Sequence, residues 1–409
     1  MATTTEPVEA PQAPPGEPDG DRSTRRMLKG LFIILALAAV ALLFLLFWLL
    51  RPEDSGPPAG QPAGYPIEVV TTIYGFGEAA NEQITQPLGV TLDAEGNVWV
   101  SNTGRSRVEV YTRDGDFIRT LGDQEGDGKL FTPYGITVDA ERGLVYVADM
   151  SGRNVQIYTT LGDYAGHLPA DDQELAIFGD DGFTPYDVEL SPDGRIVVSS
   201  ADGLYFFDQE GSVVARWGGT AHGQNLRGPW DGVFNFPDSF AIDPESGWIY
   251  VADTANRRVI GIDPDGFWKW VSGAPDEEGK IASFWQLPRS ISIGPDDGNL
   301  YVVDTFRFDP EGMGTGHIVV LSKDGELLSE FGRAGSVDGA FSYPDQMEAG
   351  PDGLWAIADR ENNRVVVFRL ITPYPEVDDL LAARYPKTFD EPEFTWVTPP
   401  PTPPIDGEG

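Results

Sequence analysis

The chain has 409 residues, no cysteine and a formal net charge of −37 at pH 7. Without cysteine it has no disulfide framework, no thiolate nucleophile and no zinc–thiolate site. The strong negative charge disfavours binding to nucleic acid, which needs clustered Lys and Arg, and favours cations, basic partners or simple solubility. The 48 glycines and 34 prolines suit a fold of many short strands and tight turns.

The first part of the chain predicts a membrane anchor. Residues 1–27 have no apolar period, end in basic residues and are predicted as a disordered cytoplasmic tail. Residues 28–50 are predicted as one transmembrane helix, because the uncharged apolar run 31–50 rises about 30 Å as a helix, which matches a bilayer core. A cleaved signal peptide is the alternative, and its apolar region would be shorter. After Arg51 no basic residue follows before Arg105, so the positive-inside rule places the N-terminus in the cytoplasm and the rest outside.

Residues 51–64 are predicted as a flexible linker, and a unit of about 50 residues then repeats six times within residues 65–372. The units open on prolines at the same position, which are Pro87, Pro133, Pro185, Pro237, Pro288 and Pro344. Each unit continues with short runs of β-branched and aromatic residues between turns that contain Gly and Asp, a pattern typical of strands. Six such units predict an all-β fold, a six-bladed β-propeller.

The sixth unit lacks a fourth strand, because its third strand, Val365–Phe368, is soon followed by Pro373 and Pro375. The segment Ile67–Ile73, before the first unit, has the composition of a strand. We predict that it pairs with Val365–Phe368 and closes the ring, which removes open sheet edges. Residues 373–409 are predicted as a Pro-rich C-terminal tail that either passes along the outside of the propeller or is disordered.

The unit resembles the NHL repeat. The resemblance is carried by Phe131-Thr-Pro-Tyr-Gly-Ile-Thr-Val-Asp139, by Val145-Tyr-Val-Ala-Asp149 and by an Arg-Val-x-Val third strand such as Arg107-Val-Glu-Val-Tyr111. It covers about residues 65–370 and implies an NHL-like six-bladed propeller of the membrane-anchored bacterial type. It is specific for fold and weakly specific for function, because the family includes surface proteins, protein- and RNA-binding domains and metal-dependent lyases or lactonases.

Four aspartates end the second strands of their units, namely Asp149, Asp253, Asp304 and Asp359. An aspartate that leaves a strand commonly accepts backbone N–H groups of the following turn, so we interpret this set as framework and not as metal ligands. A following arginine, Arg153, Arg258 or Arg364, is expected to pair with it. The segment Asp123–Gly128 resembles the start of an EF-hand loop, but Tyr134 stands where the bidentate acid is needed.

The residues just after the framework prolines are predicted to face the central channel or its mouth. The candidate ligand-binding residues there are Tyr134, Tyr186, Asp187, Asp238, Arg289 and Asp345, with Leu88 completing the ring. Carboxylates, one arginine and two tyrosines around one opening suit a small ligand or a cation. No cofactor is predicted, and Ca²⁺ is left open as a ligand of these carboxylates.

Two insertions lengthen loops of the repeat, Gly218–Asn235 and Phe306–Gly316. Their aromatic residues Trp230, Phe234 and Phe306 are interpreted either as anchors for a partner or as a small satellite core. Together these features favour a non-catalytic binding scaffold for an extracytoplasmic protein or cell-envelope component, and nucleic acid is not expected as a partner. The alternative is a metal-dependent hydrolase or lyase that uses the carboxylates at the channel mouth.

Overall fold

The computed structural model of the chain describes residues 67–170, 182–218, 232–273, 285–309, 312–371 and 387–388. The chain divides into two compact units, Met1–Gln61 and Pro62–Gly409, and all of the described residues belong to the second. The predicted cytoplasmic tail, anchor helix and linker lie outside the described residues. Within the described part, no helix is long and apolar enough to cross a membrane.

The described strands form six antiparallel sheets, which are the six predicted blades. Blade 1 contains β2 (Val90–Leu92), β3 (Val98–Asn102), β4 (Arg107–Tyr111) and β5 (Phe117–Leu121). Blade 2 contains β6 (Pro133–Asp139), β7 (Leu144–Asp149), β8 (Asn154–Thr159) and β9 (Tyr164–Leu168). Blade 3 contains β10 (Pro185–Leu190), β11 (Ile196–Ser200), β12 (Gly203–Phe207) and β13 (Val213–Trp217).

Blade 4 contains β14 (Pro237–Ile242), β15 (Ile249–Asp253), β16 (Arg258–Ile262) and β17 (Trp268–Ser272). Blade 5 contains β18 (Pro288–Ile293), β19 (Leu300–Asp309), β20 (Gly312–Leu321) and β21 (Leu327–Phe331). Blade 6 contains β22 (Pro344–Ala349), β23 (Leu354–Asp359), β24 (Arg364–Leu370) and the N-terminal strand β1 (Ile67–Ile73). Short 3-10 turns lie at Ala80–Glu82, Thr103–Arg105, Thr254–Asn256, Pro351–Gly353 and Arg360–Asn362.

The ring closes as predicted from the sequence. Strand β1 pairs antiparallel with β24, with Ile67 opposite Leu370 and Ile73 opposite Val365. The innermost strands of neighbouring blades contact each other all round the ring, and β2 of blade 1 contacts β22 of blade 6. The all-β six-bladed propeller is therefore confirmed, with its last blade completed by the N-terminal strand.

The core lies between the blades. Among the described residues, one apolar cluster fills each of the six interfaces between neighbouring sheets. Both faces of each sheet are covered, so the inner strands are buried along nearly their whole length, as in Val98–Asn102 and Ile249–Asp253. Such strands read as continuous rather than alternating apolar runs.

The two faces of the ring carry different parts of the repeat. Each first strand begins where the second strand ends, and the turns between second and third strands lie there too. We call this side the mouth face, because it carries the residues that follow the framework prolines. Turns between first and second strands, and between third and fourth strands, lie on the opposite face. Strand β1 begins at Ile67 on that opposite face, because Ile67 pairs with the last residue of β24.

The strand-end aspartates are framework, as predicted. Asp149 accepts the backbone N–H groups of Phe131 at 2.9 Å and Thr132 at 2.7 Å, which fixes the loop that enters blade 2. Asp253 binds Arg258 Nε at 2.7 Å, and Asp359 binds Arg364 Nε at the same distance. These carboxylates therefore hold loops of their own blades.

Arg153 occupies a different position from the one predicted. It has a φ of +58° and corresponds to Arg257 and Asn363, which have φ values of +55° and +51°. The counterpart of Arg258 in blade 2 is Asn154, which pairs with Asp149 in the strand register. The expected pairing of Asp149 with Arg153 was therefore wrong by one residue. The turn residue with left-handed backbone conformation is arginine here and not glycine, so the sequence did not mark its position.

Two residues of the C-terminal tail form a fifth strand on blade 4. Strand β25 (Lys387–Thr388) pairs antiparallel with β17, with Thr388 opposite Val271 and Lys387 opposite Ser272. At this point the tail passes along the outside of the propeller, as one of the two interpretations held. The rest of residues 373–409 lies outside the described residues.

Candidate functional site

Side chains from four blades meet in one polar network at the channel mouth. Arg289 of blade 5 lies between two acids, with Nη1 2.5 Å from Asp238 Oδ2 and Nε 3.0 Å from Asp345 Oδ1. The Tyr134 hydroxyl of blade 2 donates a hydrogen bond of 3.2 Å to Asp345 Oδ1. The structure thus brings together four of the residues that the sequence singled out.

Burial raises the pKa of the Asp238 and Asp345 carboxyls above the ordinary range, and Arg289 opposes this shift at both acids. Burial also raises the pKa of Tyr134 well above the usual value, so its hydroxyl stays protonated and acts as a donor. The network thus pairs its two acids with donors, while the Nε groups of Arg289 and Arg360 are buried without a hydrogen-bond partner among the described residues.

Arg360 joins this network and was not predicted. It belongs to the turn between β23 and β24, and its Nη1 lies 3.5 Å from Asp345 Oδ2. Its guanidinium carbon also lies 5.4 Å from the ring centroid of Tyr343, at cation–π distance. The signal in the sequence was its position directly after the framework residue Asp359, in a turn that the topology places on the mouth face.

An apolar cluster borders the polar network on the side of blades 1 to 3. The Tyr134 and Tyr186 rings meet edge to face at 5.9 Å between centroids, and Tyr186 meets Phe236 in the same way at 6.1 Å. The further members of the cluster are Leu88, Ala201 and Met150. The mouth is therefore apolar on one side and charged on the other.

Asp187 lies one layer deeper than the mouth residues and forms a hydrogen bond across the channel. Blades 3 and 6 are opposite each other in a ring of six, and Gln346 Nε2 of blade 6 donates to Asp187 Oδ1 across the channel at 3.1 Å. Gln346 Oε1 accepts the backbone N–H of Val90 at 3.0 Å. Burial raises the pKa of Asp187 to about 7. This bridge separates the mouth from the lower channel.

Two further acids lie below this bridge and were missed from the sequence. Glu189 of blade 3 and Glu348 of blade 6 occupy the same position of their repeats, and Ser292 Oγ donates to Glu348 Oε1 at 2.9 Å. Burial raises the pKa of Glu348 to about 8, and the charge of Asp187 adds to the shift. Burial and the charge of Glu348 raise the pKa of Glu189 well above its usual value. The sequence did contain a signal for this pair. Blades 3 and 6 face each other in a ring of six, and both have a glutamate four residues after the framework proline.

Glycine is needed where first strands approach most closely. A Cβ added to Gly135, one residue after Tyr134, would lie 2.3 Å from Asp187 Oδ1 and 2.7 Å from Asp187 Cα. The neighbouring blade thus fills the space that a side chain would take. The close approach positions Tyr134 and Tyr186 in contact above it.

The interpretation of the insertion residues as partner anchors fails for one of them. Phe234 is 1% exposed and packs against Trp268 with 5.5 Å between ring centroids, so it belongs to the core between blades 3 and 4. Trp230 lies outside the described residues. Phe306 is half-buried on the extended β19–β20 hairpin, 6.3 Å from the Tyr343 ring. Phe306, Tyr343 and Arg360 therefore form a row on the mouth face.

The described residues do not fit a metal centre at the mouth. In this part of the chain, no group of three or more His, Asp or Glu side chains is placed to hold a metal ion. The carboxylates of Asp238 and Asp345 are engaged by Arg289 and Arg360 instead. His167 contacts Tyr164, His317 contacts Glu330, and His222 lies outside the described residues.

The fold and its repeat define an NHL-like six-bladed β-propeller. No protein-family model matches the chain. NHL repeat-containing protein 3 from Homo sapiens is 26% identical over 236 residues, which cover 52% of this chain and 60% of that protein. Protein brain tumor from Drosophila melanogaster is 26% identical over 153 residues, which cover 36% of this chain and 14% of that protein.

This chain spans less than two thirds of the length of both relatives. Among solved structures, a protein of unknown function from Bacteroides thetaiotaomicron superimposes with a TM-score of 0.51 at 15% identity, covering 75% of this chain and 76% of that one. At this identity the likeness shows the fold alone. Function has to be argued from the site.

Proposed function

We propose that this protein is a membrane-anchored propeller, displayed outside the cytoplasm, that binds a protein or cell-envelope ligand through its mouth face. The observation that carries the proposal is the convergence of non-repeating side chains at the mouth. Tyr134, Asp238, Arg289 and Asp345 occupy the same position of four repeats, comprise three residue types of different charge, and form one network. The framework prolines are the same residue in all six repeats, whereas the position after them carries this mixture of an arginine, a tyrosine and two acids.

Two further features support binding at this face. The β19–β20 hairpin carries Phe306 beside Tyr343 and Arg360, and loops on a rigid scaffold are common binding elements. The first described residue of the propeller, Ile67, lies on the face opposite the mouth. The membrane placement itself is supported by the apolar run 31–50 and by the basic residues before it.

The test uses the full-length chain in intact cells. Photo-crosslinking from position 306 is expected to capture a partner, and the Arg360→Ala variant is expected to reduce capture at least fivefold. The matched control is Arg113→Ala, since Arg113 forms an exposed ion pair with Asp352 away from the mouth. Equal capture by all three proteins would overturn the assignment of this face.

Membrane placement is tested separately by adding protease to intact cells. The protease is expected to digest the propeller or release it from the cells. An epitope placed before residue 22 is expected to stay protected from the protease. Protection of the propeller would overturn the extracytoplasmic assignment and leave the binding face untouched.

The metal-dependent hydrolase or lyase remains the alternative reading, and no observation of the described residues favours it. It predicts a stoichiometric divalent metal that is lost in Asp238→Ala, which elemental analysis of the purified chain measures.

A further inference from the structure

We propose that the mouth binds an organic carboxylate that carries an apolar group, with the carboxylate on Arg289 and Arg360 and the apolar group against the aromatic cluster. This inference rests on the proposed function and names the ligand chemistry of the same face. It begins with the two guanidinium groups, which converge on one point because both contact Asp345.

Both arginines have donors to spare. Arg289 donates from Nη1 to Asp238, and its Nε lies 3.0 Å from Asp345 Oδ1. Arg360 donates from Nη1 to Asp345, and its Nε lies 4.0 Å from Glu361 Oε1. Among the described residues, the Nη2 group of each arginine donates no hydrogen bond, and both Nε groups are buried without a hydrogen-bond partner. The two side chains keep 18% and 27% of their surface exposed, whereas Asp238 and Asp345 are at most 4% exposed. The mouth therefore presents guanidinium donors to a ligand and keeps its acids underneath.

The acids below hold the arginines in place for a ligand. Arg289 is fixed by two carboxylates, and Arg360 is fixed by Asp345 on one side and by the Tyr343 ring on the other. A guanidinium fork that is already oriented loses little entropy when it binds a planar carboxylate. Two such groups beside one another form a preorganised carboxylate site.

The charge balance sets the ligand charge. Asp238, Asp345, Arg289 and Arg360 sum to zero, and the exposed Glu361 carboxylate lies 4.0 Å from Arg360 Nε. A monoanion therefore adds one negative charge to a site that already has an excess of acid. A phosphate dianion would add nearly two and would meet more repulsion from Asp238 and Asp345. A monocarboxylate is the anion that this network accommodates best.

The aromatic cluster sets the second half of the ligand. Tyr134 bonds to Asp345 and touches Tyr186, so the apolar cluster begins where the polar network ends. Phe236 and Met150 are half-buried members of the cluster and leave apolar surface at its edge. The Asp187–Gln346 hydrogen bond crosses the channel one layer below, so we place the ligand above it.

The experiment titrates the full-length chain in detergent with phenylacetate and with phenylacetamide, which has the same shape without the charge. Calorimetry and saturation-transfer NMR are expected to show that phenylacetate binds at least tenfold more tightly than phenylacetamide, acetate or inorganic phosphate. Arg360→Gln is expected to remove this preference, and Arg360→Lys is expected to restore only part of it, because lysine lacks the planar fork. Arg113→Gln serves as the matched control.

Equal affinity for phenylacetate and phenylacetamide, or an Arg360→Gln variant that folds and binds phenylacetate as the parent does, would overturn the carboxylate site. Tighter binding of phosphate than of phenylacetate would also overturn it. Partner capture from position 306 is measured on the same variants. In the parent protein, capture with no phenylacetate binding refutes the ligand class alone, whereas absence of both refutes the binding face.

A carboxylate can come from a free small acid or from an acidic group on a larger partner. Phenylacetate at saturating concentration is expected to compete with partner capture when the partner supplies the carboxylate. When the ligand is a free acid, capture continues while phenylacetate is bound, and the site itself is supported in both cases.

Discussion

Two buried carboxylates of blade 6 have opposite roles. Asp359 is bound by groups close in sequence, the Ser342 N–H at 2.7 Å, Asn362 and Arg364. Asp345, 14 residues earlier, is bound by Arg289 and Tyr134 from other blades and by Arg360 of its own blade. The first pattern recurs at Asp149 and Asp253, and the second recurs at Asp238, which also binds Arg289 of the next blade. A buried acid at the end of a second strand holds its own loop, whereas a buried acid after a framework proline joins blades at the mouth.

The largest expected effect is at the framework. Asp359→Ala removes the partner of buried Arg364 and of two other donors, and is expected to lower the free energy of unfolding by about 3–5 kcal/mol. Urea denaturation measures it. The exposed residue Asp338 in the preceding loop is the control, and its Ala variant is expected to change stability by less than about 0.5 kcal/mol. Similar losses of unfolding free energy in the Asp359 and Asp338 variants would show that Asp359 has no special role in the framework.

A mouth substitution is expected to cost less and to depend on pH. Arg289→Met leaves Asp238 and Asp345 without their shared cation and is expected to cost about 2 kcal/mol at pH 7. These acids already have raised pKa values, so at pH 5 they take up protons in the variant and the loss shrinks. Equal losses for Arg289→Met at pH 5 and pH 7 would contradict this account.

The acids of the lower channel predict that stability falls as pH rises. The pKa is raised to about 7 for Asp187 and about 8 for Glu348, so between pH 5 and 9 the folded state holds protons that the unfolded state has released. Stability that is present below the unfolded values is lost as the pH rises through the folded values, at no more than about 1.4 kcal/mol per pH unit for each proton.

The Glu348→Gln variant is expected to flatten this slope, because its amide has no proton to lose. Thermal unfolding at five pH values measures the difference. A parent protein that becomes more stable from pH 5 to pH 9 would show that these carboxyls titrate normally.

The smallest expected effect separates binding from stability. Tyr134→Phe removes one hydroxyl donor to Asp345 and is expected to cost about 1 kcal/mol while weakening phenylacetate binding. Tyr205→Phe removes a similar hydrogen bond to Asp202 inside the framework, 3.0 Å long, and is expected to cost about as much without changing the affinity. Loss of binding in both variants would mean that affinity follows stability.

The propeller could be predicted from sequence because its information is local and repeated. The strands Ile67–Ile73 and Arg107–Tyr111 were predicted with the bounds that the structure has. The role of Asp149 followed from turn chemistry alone. Burial of Phe234 did not follow, because an aromatic residue in a long connector packs inward or outward according to tertiary contacts that the pattern does not contain.

The site could be predicted only in part, because only its repeat positions are encoded locally. Counting from the prolines placed Asp238, Arg289 and Asp345 in one ring, but which acid the arginine binds depends on the width of the channel and on side-chain rotamers. The bridge from Asp187 to Gln346 spans the ring between residues 159 apart in sequence, and no local pattern encodes it. Arg360 comes from a turn whose sequence serves the framework.

The strand that closes the ring also determines how the propeller responds to a pulling force. Strand β1 is held by β24 alone in its sheet, and the chain enters β1 at Ile67, on the face opposite the mouth. A tension between a partner on the mouth face and the entering chain acts along the strand axis. The hydrogen bonds of an antiparallel ladder lie perpendicular to that axis, so they are loaded in shear and share the force instead of opening one after another. The β1–β24 strand pair that closes the ring is thus also the contact that would bear such a force.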